Sequence, residues 1–146
     1  MNNEIKWING STIAKINFKI QNDPISLDPE HISKAEALVY RVKNQYFYVG
    51  LKDIFILSAA YLNSVTVGHI FPNGNKRTTL ATCGLFLFQN GFLLPDSQAA
   101  NLKLADLTLK STNHEISNEI LANGIKAVAI TPTLIFSKTL VKSFHR

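Results

Sequence analysis

One stretch of the 146-residue chain concentrates reactive and anion-binding side chains: Gly68-His69-Ile70-Phe71-Pro72-Asn73-Gly74-Asn75-Lys76-Arg77-Thr78. It joins two of the most apolar segments in the sequence. Gly74-Asn75 reads as the start of a helix, where the first amide N–H groups lack intrahelical partners. A glycine there lets an anion approach the backbone closely, and the helix dipole favours negative charge. Lys76 and Arg77 place two cations in that first turn. Cations at a helix N-terminus oppose the dipole, so a purely structural design avoids them, and a bound phosphate resolves the conflict. His69 lies five residues before Gly74. An imidazole ordinarily titrates near pH ~6.5, which suits a general base that deprotonates a hydroxyl beside a phosphate chain.

A phosphate-binding P-loop is excluded. That pattern needs Gly, four residues, then Gly-Lys-Ser/Thr after a strand. Here five residues separate Gly68 from Gly74, Asn75 precedes Lys76, and no strand comes before. A histidine at a helix end is, by itself, more often a cap than a base. His69, Phe71, Gly74, Asn75, Lys76 and Arg77 at fixed spacing form a much more specific signal. The remaining reactive side chains read as structural. Cys83 lies mid-helix among Leu80, Phe86 and Leu87, as a small buried hydrophobe does. His114-Glu115 falls in a turn, and His31 and His145 show no partner spacing.

Helices must position this loop. Asn9 is a candidate cap for a first helix carrying Ile13, Ile16 and Ile20, which Asn22-Asp23-Pro24 ends. Asp28-Pro29-Glu30 starts a second, with Ile32, Ala35, Val39 and Val42 on one face to about Lys43. The aromatic, β-branched run Gln45–Val49 predicts a short extended segment ending at Gly50. Asp53 precedes a helix from Ile54 to about Gly68. After the loop, a strongly apolar helix runs from about Asn75 to Asn90, with Gly91 beyond it. Ser97 caps a helix through Leu109, Ser111–Asn113 make a turn, and Ser117 caps a last helix from Asn118 to about Ile130. Thr131-Pro132 breaks it, and residues 134–144 keep helical spacing. Five or six helices and almost no strand make a compact all-α domain over 1–130, followed by a basic tail over 131–146.

Composition agrees. An apolar fraction of 46% with 17% charged residues excludes a disordered chain. A single cysteine excludes an internal disulfide framework and a cysteine-built metal site. No apolar run approaches the ~20 residues of a bilayer span, and the N-terminus shows no leader, so a cytoplasmic, membrane-free protein is expected. Of the net charge of +5, Lys138, Lys142 and Arg146 contribute +3 without any acid. Residues 1–130 therefore carry twelve basic and ten acidic side chains, a net +2. The basic balance is largely a property of the tail, which argues against nucleic acid as the main partner.

The segment HIFPNGNKRT resembles the active-site signature of the Fic/Doc (Fido) superfamily, His-x-Phe-x-(Asp/Glu)-(Gly/Ala)-Asn-(Gly/Lys)-Arg. The flanks LSAAYLNSVTVGHIF and LATCGLFLFQNGF, and the later ADLTLKSTNHEISNEI, are similar to the Doc branch, so the resemblance covers roughly 10–130. It implies a helical bundle with the motif loop between two central buried helices. By the same resemblance His69 is the catalytic base and Phe71 anchors the loop in the core. Gly74, Asn75 and Lys76 form the anion nest for nucleotide phosphates, and Arg77 pairs with phosphate oxygens, Lys76 and Arg77 counting with His69 as catalytic. The implied activity is a Doc-like toxin that transfers a phosphate from ATP, with Mg²⁺, to a hydroxyl of a translation factor, elongation factor Tu. Gln45–Val49 corresponds to the flap that positions the target as an added strand.

Two departures bear on this. Asn73 stands where the family usually carries an acid that ligates Mg²⁺, and a neutral amide is a weaker donor to a hard cation. This leaves open a weak metal site, a metal held mainly by phosphates, an inactive antitoxin-binding member, or an engineered change. Leu80 stands in the place of the second arginine of AMP-transferring Fic motifs, which favours phosphate transfer over AMP transfer. The inhibitory helix pattern Ser/Thr-x-x-x-Glu-Gly/Asn is not met, since Ser26–Glu30 is followed by His31 and Ser111–Glu115 by Ile116. Inhibition in trans by a small Phd-like antitoxin is therefore expected.

Overall fold

A computed structural model of the chain describes residues 4–50 and 52–131, apart from the side chains of 65–68. Six helices account for most of them: α1 (Gly10–Gln21), α2 (Pro29–Asn44), α3 (Ile54–Gly68), α4 (Asn75–Gln89), α5 (Gln98–Thr112) and α6 (Asn118–Val128). The tail expected to be helical lies outside the described residues. Capping explains where the helices begin. The side chains of Asn9, Asp53, Ser97 and Ser117 each accept a hydrogen bond from a backbone N–H of the first turn. Asp28 holds the same position before α2 but makes no such bond, and Pro29 sets the first turn instead.

Three expectations are corrected. Gln45–Val49 is not extended: it continues α2 as one wide turn, closed by a bond from Gly50 N–H to the Gln45 carbonyl. Packing overrides the strand propensity of these residues. The Tyr46 ring stands edge-on to Trp7 at 5.5 Å and to Phe47 at 4.9 Å, and Gly50, at φ 81°, ends the turn. Next, α5 runs through Ser111 and Thr112 rather than stopping at Leu109: Ser111 is buried against the core, and the hydroxyls of Thr108 and Thr112 are paired with the carbonyls of Leu104 and Leu109. Finally, α6 stops at Val128 because Ile130 is taken by Leu93, the two exchanging backbone bonds of 2.7 and 2.8 Å in an isolated antiparallel bridge.

The core forms two clusters on either side of α3. Leu57, Ala60 and Tyr61 face α1, α2 and the motif loop, together with Ile13, Leu38, Val42 and Phe71. Phe55, Ala59 and Leu62 face α5 and α6, with Leu104, Leu121 and Ile125. α4 also reaches both, through Phe86 on one side and Cys83 and Leu87 on the other. Apolar residues all round a helix are the mark of a buried one, and α3 and α4 are the central pair. Thr79 stitches them together, its hydroxyl donating to the Leu62 carbonyl at 2.6 Å. At the α1–α2 crossing the backbones come so close that a Cβ on Gly10 would stand 2.5 Å from Glu36 N.

Two buried groups fix how this core responds to mutation and pH. The Tyr61 hydroxyl, fully buried, donates to the Ile8 carbonyl and accepts from Ile8 N–H, each at 3.1 Å. It thereby pins the N-terminal segment to α3. Tyr61→Phe leaves both Ile8 groups buried and unpaired, so unfolding free energy should fall by about 1–3 kcal/mol. Urea midpoints at unchanged slope measure this, and an unchanged midpoint contradicts it.

Burial pushes the Cys83 thiol up from its ordinary 9.0 to about 12, an effect partly offset by a hydrogen bond with Ser58. Tyr61 is shifted in the same direction, also by burial. Both groups stay protonated in the folded chain while the unfolded chain releases their protons. Stability should therefore be full below pH 9.0 and decline as pH rises towards about 12. A flat stability profile across that range would sink this account.

Candidate active site

The loop leaves α3 at His69, which caps the helix in the left-handed region at φ 45°, ψ 50°, and is exposed. The chain then turns inward. Ile70 and Phe71 are each only 3% exposed, while Pro72 and Asn73 face solvent. Phe71 sits in the first core cluster with its ring 5.9 Å from that of His31 on α2. The His31 Nδ1–H donates to the Ile25 carbonyl at 2.7 Å, which holds the ring as a backing plate for Phe71.

Gly74 opens α4 with φ 77°, a backbone state that favours glycine. It offers no capping side chain, and the first turn contains no acid. The first bond of the helix runs from Thr78 N–H to the Gly74 carbonyl at 2.9 Å. The amides of Asn75, Lys76 and Arg77 are therefore left without intrahelical partners. Lys76 and Arg77 are both exposed on this turn, and neither is in an ion pair among the described residues. Uncapped amides and two cations at a helix start combine into one anion-binding surface.

Asn75 does something the sequence did not indicate. Its Oδ1 accepts from Phe71 N–H at 3.1 Å, and its Nδ2 donates to the Phe71 carbonyl at 2.6 Å. The side chain thus closes the loop on itself, and the Asn75 backbone amide remains to face an anion. Phe71 and Asn75 work as a pair, one buried and the other holding its backbone.

Asn73 is exposed at the rim of a small recess shared with Gln21, Asp23 and Pro72. Asp23 is turned to its own backbone, where Oδ1 accepts from Ile25 N–H. Among the described residues no three His, Cys, Asp or Glu side chains converge as a metal cage. The exposed Asn73 side-chain oxygen can serve as one neutral donor to a hard cation, and the described residues offer no cage around it. Leu80, one turn and a half into α4, lines a groove of about 330 Å³ with Lys76, Leu102, Ala105, Asp106 and Leu109.

The other reactive side chains lie apart from this loop or belong to the scaffold. Cys83, on α4, is buried at 1% exposure in the core cluster it shares with Ala59 and Leu62 of α3. His114 is exposed at φ 60° in the turn after α5, where His114 N–H donates to the Ser111 carbonyl. A residue that sequence reasoning missed is Asn17. It is 1% exposed on α1, yet its Nδ2 donates to the Asn73 carbonyl at 2.9 Å and to Thr78 Oγ1 at 3.0 Å. The available signal was a polar residue on the face defined by Ile13 and Ala14.

Comparison with known proteins agrees with this geometry. Residues 2–87, which include the whole loop and most of α4, match the Fic/DOC family. Over 93 residues the chain is 40% identical to the protein kinase doc of Escherichia phage P1, covering 64% of this chain and 71% of that one. The extent of the family match, and an identity of this size on the loop-bearing part of the fold, lead to one conclusion: the chain belongs to the Fic/DOC family, on its Doc branch.

Proposed function

We propose that the chain is a Doc-type toxin that moves the terminal phosphate of ATP to a Ser or Thr hydroxyl of a translation factor, elongation factor Tu by kinship. One observation carries this reading: the start of α4 presents amides without intrahelical partners and two cations, Lys76 and Arg77, in no ion pair among the described residues, with an exposed His69 five residues before Gly74. The relative's description as a protein kinase supports the same reaction class. In that reaction His69 takes the proton of the target hydroxyl, whose oxygen attacks the γ-phosphorus as its bond to the β-bridging oxygen breaks, and ADP leaves. The nest of α4 amides and Arg77 holds the phosphates as charge shifts onto the leaving group. A Mg²⁺, if held with the Asn73 side-chain oxygen as its protein donor, would supply charge neutralisation. Leu80 in place of a second arginine favours this reading over AMP transfer. With no inhibitory helix pattern in the chain, a small Phd-like antitoxin is the proposed inhibitor in trans.

His69→Ala should abolish growth arrest and phosphate transfer while leaving the fold intact, because the side chain is exposed at a helix end. Arg77→Ala should weaken ATP binding roughly tenfold, the scale of a lost charge-assisted contact, whereas Lys103→Ala on the exposed face of α5 should not. Transfer from γ-labelled ATP, together with calorimetric titration, separates these outcomes. Label appearing on the target only from α-labelled ATP would overturn phosphate transfer in favour of AMP transfer.

Asn73→Asp should raise Mg²⁺-dependent transfer, because a carboxylate replaces a neutral donor at the exposed rim. Without metal it should weaken nucleotide binding slightly through repulsion with the phosphates. Titrations with and without Mg²⁺ test both signs. Unchanged or lower Mg²⁺-dependent activity would show that position 73 does not serve the metal.

A further inference from the structure

We infer that Asn17 is a positioning residue for the phosphate-binding turn: its side-chain amide, supplied by a different helix, sets the direction of the α4 amides. This rests on the reading of that turn as a nucleotide site.

The placement of Asn17 is costly on its own terms. It lies on the buried side of α1 with Gly10, Ile13 and Ala14, where an apolar residue would pack without penalty. An amide in such surroundings is tolerated only when its polar atoms are paired. Both of its N–H donors and its oxygen are engaged. Oδ1 accepts from Ser26 Oγ, and Nδ2 donates its two hydrogens to the Asn73 carbonyl and to Thr78 Oγ1. Asn73 precedes the turn and Thr78 closes it, so one side chain grips both ends of the segment that carries the free amides of 75–77. Thr78 is fully buried, and its own carbonyl is engaged by the Thr82 hydroxyl, so the grip is anchored in the core of α4.

Asn75 cannot replace this function. Its two bonds go back to Phe71 and fix the inward part of the loop, from 71 to 75. They tie the turn to the core only through the Phe71 ring. Asn17 adds a direct tie from the turn to α1 and, through Ser26, to the short helical turn Pro24–Leu27. An anion nest gains its strength from amides already aimed at the ligand. Loss of the Asn17 donor should therefore appear in nucleotide affinity and not only in stability.

The test compares Asn17→Ala, Thr78→Val and Ser58→Ala. Thr78→Val keeps the volume and removes only one acceptor of the grip, which covers the case where Asn17→Ala fails to fold. Ser58 is equally buried, donates to the Phe55 carbonyl and touches no part of the loop, so its loss reports stability alone. Calorimetry with ATP should show about tenfold weaker binding for Asn17→Ala and a smaller loss for Thr78→Val, with Ser58→Ala binding as wild type. Hydrogen exchange at the amides of 74–78 should rise in the first two and stay unchanged in the third. Wild-type affinity and wild-type exchange in folded Asn17→Ala, or in Thr78→Val, would overturn the inference. Failure of the wild-type chain to bind ATP would overturn the functional reading instead, and the exchange measurement would still decide the role of Asn17.

Discussion

The organisation of this molecule depends on the burial of Phe71. A loop between two buried helices would ordinarily run over the surface, where water satisfies its backbone. Here one aromatic ring pulls the loop into the core, and the backbone around it must be paired by the protein itself. Asn75 meets that demand with both ends of its amide on the Phe71 backbone. The exposed stretch that follows is short and rigid as a result. His69, at one end of the loop, and Lys76 and Arg77, just beyond the other, stand in fixed relation because the ring between them cannot move without opening the core.

Electrostatics at the start of α4 run against the fold and in favour of a ligand. An acid in a first turn typically gains ~0.3–1 kcal/mol from the dipole, and cations lose a comparable amount. Two cations and no capping side chain therefore make the turn a weak point of the empty chain. Core packing absorbs this. Fully burying one large apolar side chain contributes about 1.5–3 kcal/mol, and α4 buries both Phe86 and Leu87 a few turns on. Buried residues from Thr78 and Thr79 to Phe86 and Leu87 hold the helix, while Lys76 and Arg77 stay at the surface.

Much of this was legible in the sequence, and the exceptions have physical causes. Short-range rules worked: the caps at Asn9, Asp53, Ser97 and Ser117, the break at Gly91, and the buried character of α3 and α4 all follow from neighbours within a few residues. The candidate site was visible as a cluster because its residues are contiguous. What was not visible depends on side-chain contacts that the fold decides, some of them between residues remote in sequence. The strand expected at 45–49 gave way to packing against Trp7, nearly forty residues upstream. Ser111 is buried and the hydroxyls of Thr108 and Thr112 are paired within the helix, and α5 did not end where its polar residues suggested. Asn75 was read for its backbone, yet its side chain has a separate task that only the fold reveals. Asn17 looked like an ordinary polar position among isoleucines, because its partners at 73 and 78 are remote in sequence.

The hydrogen bonds from Asn17 span 56 and 61 residues, and those between Tyr61 and Ile8 span 53. During synthesis α1 therefore emerges with a core amide that has no acceptor, and it stays so until the polypeptide has been extended through Thr78. An N-terminal piece ending before that point is left with an unpaired polar group facing an unfinished interior. Chain closure over such distances is entropically late, so local helices form before these ties do. The turn at the start of α4 and the tertiary structure are therefore coupled through the same long-range bonds.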